Sequence, residues 1–189
     1  PASVTSIGGQ AFQNTAITTI TIPASVTSIG AQAFRNATSL SEVIFDSGSS
    51  LNRIDQSAFR ETSLISVTIP DSVTIIERYA FQTISELTSI TIGNSVTSIG
   101  PNAFAGSNFK SIIIPSSVTS IATNVFEDSG LEYIFVPSTL IDNQWDIGVN
   151  TNSVYGKEGV IVLINIDDIN VTLVKNSSDN EILLMSENN

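Results

Sequence analysis

Apolar residues skip one position at a time in short stretches that recur along most of the chain. The pairs are Ile20/Ile22, Val43/Phe45, Val67/Ile69, Ile90/Ile92, Ile112/Ile114 and Ile134/Val136. A period of two is the mark of a short, half-buried strand with one face toward a core and one toward solvent. Three residues before each pair stands another apolar position: Ile17, Leu40, Leu64, Leu87, Phe109 and Leu131. Pro follows four of the pairs directly (Pro23, Pro70, Pro115, Pro137). With no N–H and a fixed φ, it closes the strand where ladder bonding should stop.

A second apolar pair, Val-x-x-Ile, comes next: Val4/Ile7, Val26/Ile29, Leu51/Ile54, Val73/Ile76, Val96/Ile99 and Val118/Ile121. Each unit then ends on a phenylalanine. Phe12, Phe34, Phe59, Phe81, Phe104 and Phe126 are separated by 22, 25, 22, 23 and 22 residues. A fixed period of this size signals a solenoid, in which each unit buries its apolar face only against a neighbour. The stretch between Ile and Phe, as in Gly30–Phe34, has room for one or two helical turns. Its Ala and Phe are predicted to point inward, and the six phenylalanines to stack as a continuous spine.

The unit Leu64-Ile-Ser-Val-Thr-Ile-Pro-Asp-Ser-Val-Thr-Ile-Ile-Glu-Arg-Tyr-Ala-Phe81 resembles the BspA-like leucine-rich repeat of surface proteins in bacteria and some protists. The resemblance covers residues 1 to about 137. It implies a β-rich α/β repeat solenoid: a curved array with short parallel strands on its concave side and short helical turns, used mainly for adhesion and binding. Units of that family often carry Cys three places after the Phe, where this chain has Thr15, Ala37, Thr62, Ile84, Ser107 and Ser129. Residues 1–137 are therefore expected to form about six units. The first is incomplete, because Pro1–Ile7 matches Pro23–Ile29; a piece of a longer protein is the expectation.

After Pro137 the Phe period stops, and residues 138–189 are expected to be a C-terminal cap or small β segment. Three strand-like runs, Val160–Ile166, Ile169–Lys175 and Glu181–Ser186, are joined by turn-rich hairpin connections. Trp145, the only tryptophan, is expected to plug the last core layer against Phe126 and Phe135.

Composition removes most chemistry. With no Cys and no His, disulfides, the usual zinc sites and catalysis by thiolate or imidazole are excluded. Asp167 and Asp168 are adjacent, so on a strand they would face opposite sides, and Asp142 and Asp146 sit in a loop; no converging carboxylate pair is visible. The chain is expected not to be an enzyme and to need no cofactor or metal. In the third unit the loop Asp46–Ser50 replaces Pro-x-Ser and is longer, which reads either as a bulged turn or as an oxygen-rich Ca²⁺ loop. Asn36, Asn170 and Asn176 open Asn-x-Ser/Thr sequons of the kind chance supplies in such a chain.

Net charge is −11 and unevenly spread: residues 1–126 hold seven acids and five bases, residues 127–189 eleven acids and two bases. That balance argues against nucleic acid and against docking on anionic lipid. No transmembrane stretch is visible.

In the resembling array, residues facing outward from the strands form two central rows. One holds Thr19, Glu42, Ser66, Ser89, Ser111 and Tyr133, the other Thr21, Ile44, Thr68, Thr91, Ile113 and Phe135. These rows are the candidate ligand-binding face. Two explanations stand for their Thr content: good strand formation, or a binding strip with Tyr133 and Phe135 as aromatic anchors for a protein or a sugar ring. The expectation is a non-catalytic extracellular or surface module binding a protein or glycan partner. The alternative is a self-assembling building block of a filament, cell-envelope layer or virus particle.

Overall fold

The computed structural model describes residues 3–137 and the strand residues 153–154, 157–158, 161–165, 171–176 and 182–186. Each coil contributes one longer and one shorter strand. The longer ones are β2 (Thr19–Ile22), β4 (Glu42–Phe45), β6 (Ser66–Thr68), β8 (Ser89–Thr91), β10 (Ser111–Ile113) and β12 (Tyr133–Pro137). They sit at the period-two pairs, where β-branched residues favour the pleated conformation. They pair two by two, parallel and in register, Thr19 beside Glu42, Ser66 beside Ser89 and Ser111 beside Tyr133, with no ladder between β4 and β6 or between β8 and β10.

At each proline the chain turns, and the carbonyls of Pro23, Pro70 and Pro115 accept the N–H of Val26, Val73 and Val118 at 3.0–3.1 Å. The Val-x-x-Ile stretch then supplies the two-residue strands β1 (Ser6–Ile7), β3 (Ser28–Ile29), β5 (Arg53–Ile54), β7 (Ile75–Ile76), β9 (Ser98–Ile99) and β11 (Ser120–Ile121). These form a second parallel sheet in the order β1-β3-β5-β7-β9-β11.

Helical turns do not follow. Among the described residues there is no helix, which corrects the expected short helical turns. The stretch from Gly30 to Ala37 is a run of tight turns, with Gln32 and Asn36 in the left-handed region at φ 60° and 59°. The same spacing recurs at Gln10/Asn14, Ser57/Glu61, Tyr79/Thr83, Asn102/Gly106 and Asn124/Asp128. A left-handed residue at every fourth position stops a right-handed helix. Backbone N–H groups alternate in consequence. Ala33, Arg35 and Ala37 donate three residues back within their own coil, while Gln32, Phe34 and Asn36 donate to Gln56, Ala58 and Arg60 of the next coil at 2.9, 2.8 and 3.0 Å. A helix would keep these bonds to itself; here half of them tie coil to coil.

Inside runs the phenylalanine column. Successive rings from Phe12 to Phe126 have centroids 5.0–6.1 Å apart and planes within 5–16° of one another. The stack opens widest where Phe109, in the position other coils give to Leu or Ile, packs edge-on to Phe104 and Phe126 at 6.1 and 6.2 Å. Phe34, Phe59, Phe81, Phe104 and Phe126 are fully buried, together with the alanines before the first four. Three places after the phenylalanines, Ala37, Thr62, Ile84, Ser107 and Ser129 are buried and Thr15 is half-buried, and Thr62 Oγ1 donates to the Phe59 carbonyl at 2.9 Å.

Beyond Pro137 lie β13 (Ser153–Val154) and β14 (Lys157–Glu158), an antiparallel pair, then β15 (Ile161–Asn165), β16 (Val171–Asn176) and β17 (Ile182–Ser186). β15 pairs parallel with β12, Tyr133 beside Ile161, and β16 and β17 follow antiparallel, so the sheet begun by β10 and β12 gains three strands. Trp145, the acids Asp142, Asp146, Asp167 and Asp168, and Asn170 lie outside the described residues.

Candidate binding face

The geometry of the long strands decides what faces outward. Val43, Val67, Ile90, Ile112 and Ile134 turn into the core at 0–9% exposure, so their neighbours on either side must face away. All twelve residues of the two predicted rows lie on that outward face. Eleven are exposed, Ile44 at 45%, Ile113 at 66% and Tyr133 at 41%; Phe135, beside Leu163 of β15 in register, is half-buried. Ile65, next to the first row, is 56% exposed. Lys110 and Glu132, one residue outside that row, form an ion pair at 2.7 Å.

Hydroxyl groups divide by place along the strand on both sheets. Ser6, Ser28, Ser98 and Ser120, inside the short strands, make no side-chain hydrogen bond to other described residues, whereas Ser41 and Thr88, just ahead of β4 and β8, donate to the Thr18 and Ile65 carbonyls of the preceding coil at 3.3 Å. On the short-strand side, Thr27, Thr74, Thr97 and Thr119 each donate to a carbonyl of the preceding coil (Thr5, Asn52, Thr74 and Thr97) at 3.1–3.3 Å. On the long-strand face, the hydroxyls of Thr19, Thr21, Ser66, Thr68, Ser89, Thr91 and Ser111 make no side-chain hydrogen bond to other described residues. Their hydrogen-bonding capacity is directed outward, each with one donor and two acceptor lone pairs.

Two shallow grooves lie along this face. One, of about 610 Å³, runs past Glu42, Ile44, Ser66 and Thr68 and is walled by the loop Asp46–Ser49 and by Asp71. The second, of about 640 Å³, continues past Thr68, Ser89, Thr91 and Ser111 to Ile113. Thr68, Pro70 and Asp71 line both, so the grooves join. The row-based reading missed Asp46 and Asp71, which stand at strand exits. The signal was present in the third unit, where the missing Pro and the longer loop place Gly48 at φ 73° and raise a wall beside Ile44.

The opposite, turn-bearing side carries most of the basic residues. Arg53 bonds Asp55 at 2.6 Å and approaches Glu77 at 3.7 Å; the hydrogen bond and charge of Asp55 raise its guanidinium pKa further. Arg35 and Arg60 share Glu61 at 3.5 and 3.1 Å, and Arg60 and Arg78 flank the Tyr79 ring at 5.9 and 5.3 Å. No base lines either groove.

Among solved structures, PcpA, a pneumococcal vaccine antigen, is 28% identical over 72% of this chain and 37% of its own, with a TM-score of 0.66. A leucine-rich repeat protein from Bacteroides ovatus is 32% identical, covering 73% of this chain and 36% of its own, with a TM-score of 0.67. A leucine-rich cell surface protein from Faecalibacterium prausnitzii is 28% identical over 96% of this chain and 49% of its own, at a TM-score of 0.54. The chain thus spans between about a third and a half of the length of these relatives. No curated protein is a significant match to it. The model of the BspA type leucine rich repeat region matches residues 5–132 in six copies, and the chain belongs to that family.

Proposed function

We propose that this chain is a non-catalytic binding module whose long-strand face engages a macromolecular partner at a cell surface, in an adhesive role. The observation that carries the reading is the pair of joined grooves on the long-strand face, lined by hydroxyls of Ser66, Thr68, Ser89, Thr91 and Ser111 that bond no other described residue and by the exposed Ile44 and Ile113. The face is long, regular and rigidly backed by the phenylalanine column, so a ligand meets it with little ordering cost. The setting is supported by the relatives, one named a vaccine antigen and one a cell surface protein. Tyr133, exposed at the end of the row, is the aromatic contact of this face; half-buried Phe135 contributes an edge.

The test is cell or matrix binding by the purified chain and by two variants. Thr68→Arg, in the groove, should abolish binding. Thr97→Arg, on the short-strand side, should leave it intact. Equal binding by both variants would remove the face from the function. Ordered oligomers in light scattering, with no binding to cells, would favour the building-block alternative.

A further inference from the structure

The joined grooves have a pattern finer than a general binding face, and it identifies the kind of partner. We infer that they take an extended polypeptide segment laid across the strands, with aliphatic side chains four residues apart and a Lys or Arg two residues from one of them, on the same side of the segment. This rests on the long-strand face being the binding face.

Three observations meet in this assignment. First, the second row reads Ile44, Thr68, Thr91, Ile113 across four successive coils, with the two isoleucines 45% and 66% exposed and the threonines between them. β6 and β8 are a ladder pair while β4–β6 and β8–β10 are adjacent without one; three steps at the usual strand spacing would put the isoleucines about 14 Å apart. An extended chain advances about 3.3 Å per residue and shows every second side chain to one face, so residues i and i+4 are about 13 Å apart on the same side. The match lets both aliphatic side chains seat at once.

Second, the span between the anchors is lined by free hydroxyls of Ser66, Thr68, Ser89 and Thr91. A polypeptide lying there brings N–H and C=O groups that need partners, and hydroxyls can donate or accept as the local group demands.

Third, the Ile44 end is acidic. Glu42, Asp46 and Asp71 line that groove with no base among its walls, and none of the three is in an ion pair among the described residues. Asp71 Oδ1 accepts the Asn94 N–H at 2.7 Å, which holds this carboxylate in place. A Lys or Arg would lay its methylene stem along Ile44 and its charge among the carboxylates. The anchors are aliphatic rather than aromatic, so they offer no stacking platform for a sugar ring, which favours polypeptide over glycan at this site.

The probe is the end-capped, fluorescein-labelled octapeptide Lys-Thr-Leu-Thr-Thr-Thr-Leu-Thr, in which Lys and both leucines share one side of an extended chain, followed by anisotropy against the unmodified chain. Moving the second leucine one place closer should weaken binding about tenfold, and replacing Lys by Glu should weaken it by a similar factor. Neither comparison needs a protein variant. On the protein side, Ile44→Thr and Ile113→Thr place the residue already present at Thr21, Thr68 and Thr91, so folding is kept, and each should weaken the probe about tenfold. Glu42→Gln with Asp71→Asn should remove the preference for Lys over Glu. Equal binding of the two leucine spacings, absence of binding at millimolar peptide, or capture of cellohexaose in place of the peptide would overturn the inference. Failure of the peptide while Thr68→Arg still abolishes cell binding would leave the binding face standing and reject only its polypeptide ligand.

Discussion

Phe59 shows what a single side chain contributes. Its ring is fully buried and parallel to Phe34 on one side and Phe81 on the other, at 5.0 and 5.3 Å. Phe59→Ala should cost about 3–5 kcal/mol in urea unfolding, because both neighbouring coils face the cavity. Phe12, only half-buried at the first ring of the column, should cost clearly less when truncated. Ser107 makes the opposite case. Its buried Oγ has no hydrogen-bond partner, whereas Thr62 in the equivalent position donates to a carbonyl. Ser107→Ala should therefore stabilise by about 1 kcal/mol. Gly93 is constrained by its surroundings: a Cβ there would stand 2.3 Å from the Pro70 carbonyl oxygen. Gly93→Ala should destabilise by about 1–3 kcal/mol, read as a lower urea midpoint.

At the scale of elements, the long strands and the phenylalanine column were legible because period-two alternation and a recurring ring leave a plain trace. Two features were not. The short strands have two residues each, too few for alternation to register, so the Val-x-x-Ile pair gave apolar positions without a sheet. The turn segment was misread as helical because Ala and Phe suit a helix and the left-handed positions are disguised. Asn14, Asn36, Asn102 and Gly106 are ordinary occupants of that conformation, but Glu61, Tyr79 and Thr83 are not. Thr83 is β-branched at φ 57°, while the next coil holds Gly106 at the matching place. Thr83→Gly should raise stability by roughly 1 kcal/mol, since relief of left-handed strain outweighs the added freedom of the unfolded chain. Thermal melting of the pair measures it.

For the whole molecule, contacts run between neighbouring coils, so the unit of change is the coil. Removing residues 60–81 joins Phe59 to Gln82 in the same register; the shortened chain should fold with unchanged circular dichroism per residue and a smaller urea m-value. Removing half that stretch should abolish cooperative folding, because strands would meet turns. The outward rows were readable in advance from alternation alone. Which hydroxyls are free was not, since Thr27 and Thr68 look alike in a sequence. That difference arises only when Thr27 finds the Thr5 carbonyl on the adjoining coil.

The alternating N–H bonds of the turn segments bear on mechanics. Each coil grips the next through a few rungs and one ring, and among the described residues no bond of these turns reaches past the adjacent coil to distribute a load. Traction along the axis should peel the array by stages, each lost coil of some two dozen residues paying out about 75 Å of chain. A force–extension trace with evenly spaced teeth would record that ratchet, and a chain built this way would yield gradually under shear where a globule would burst at once.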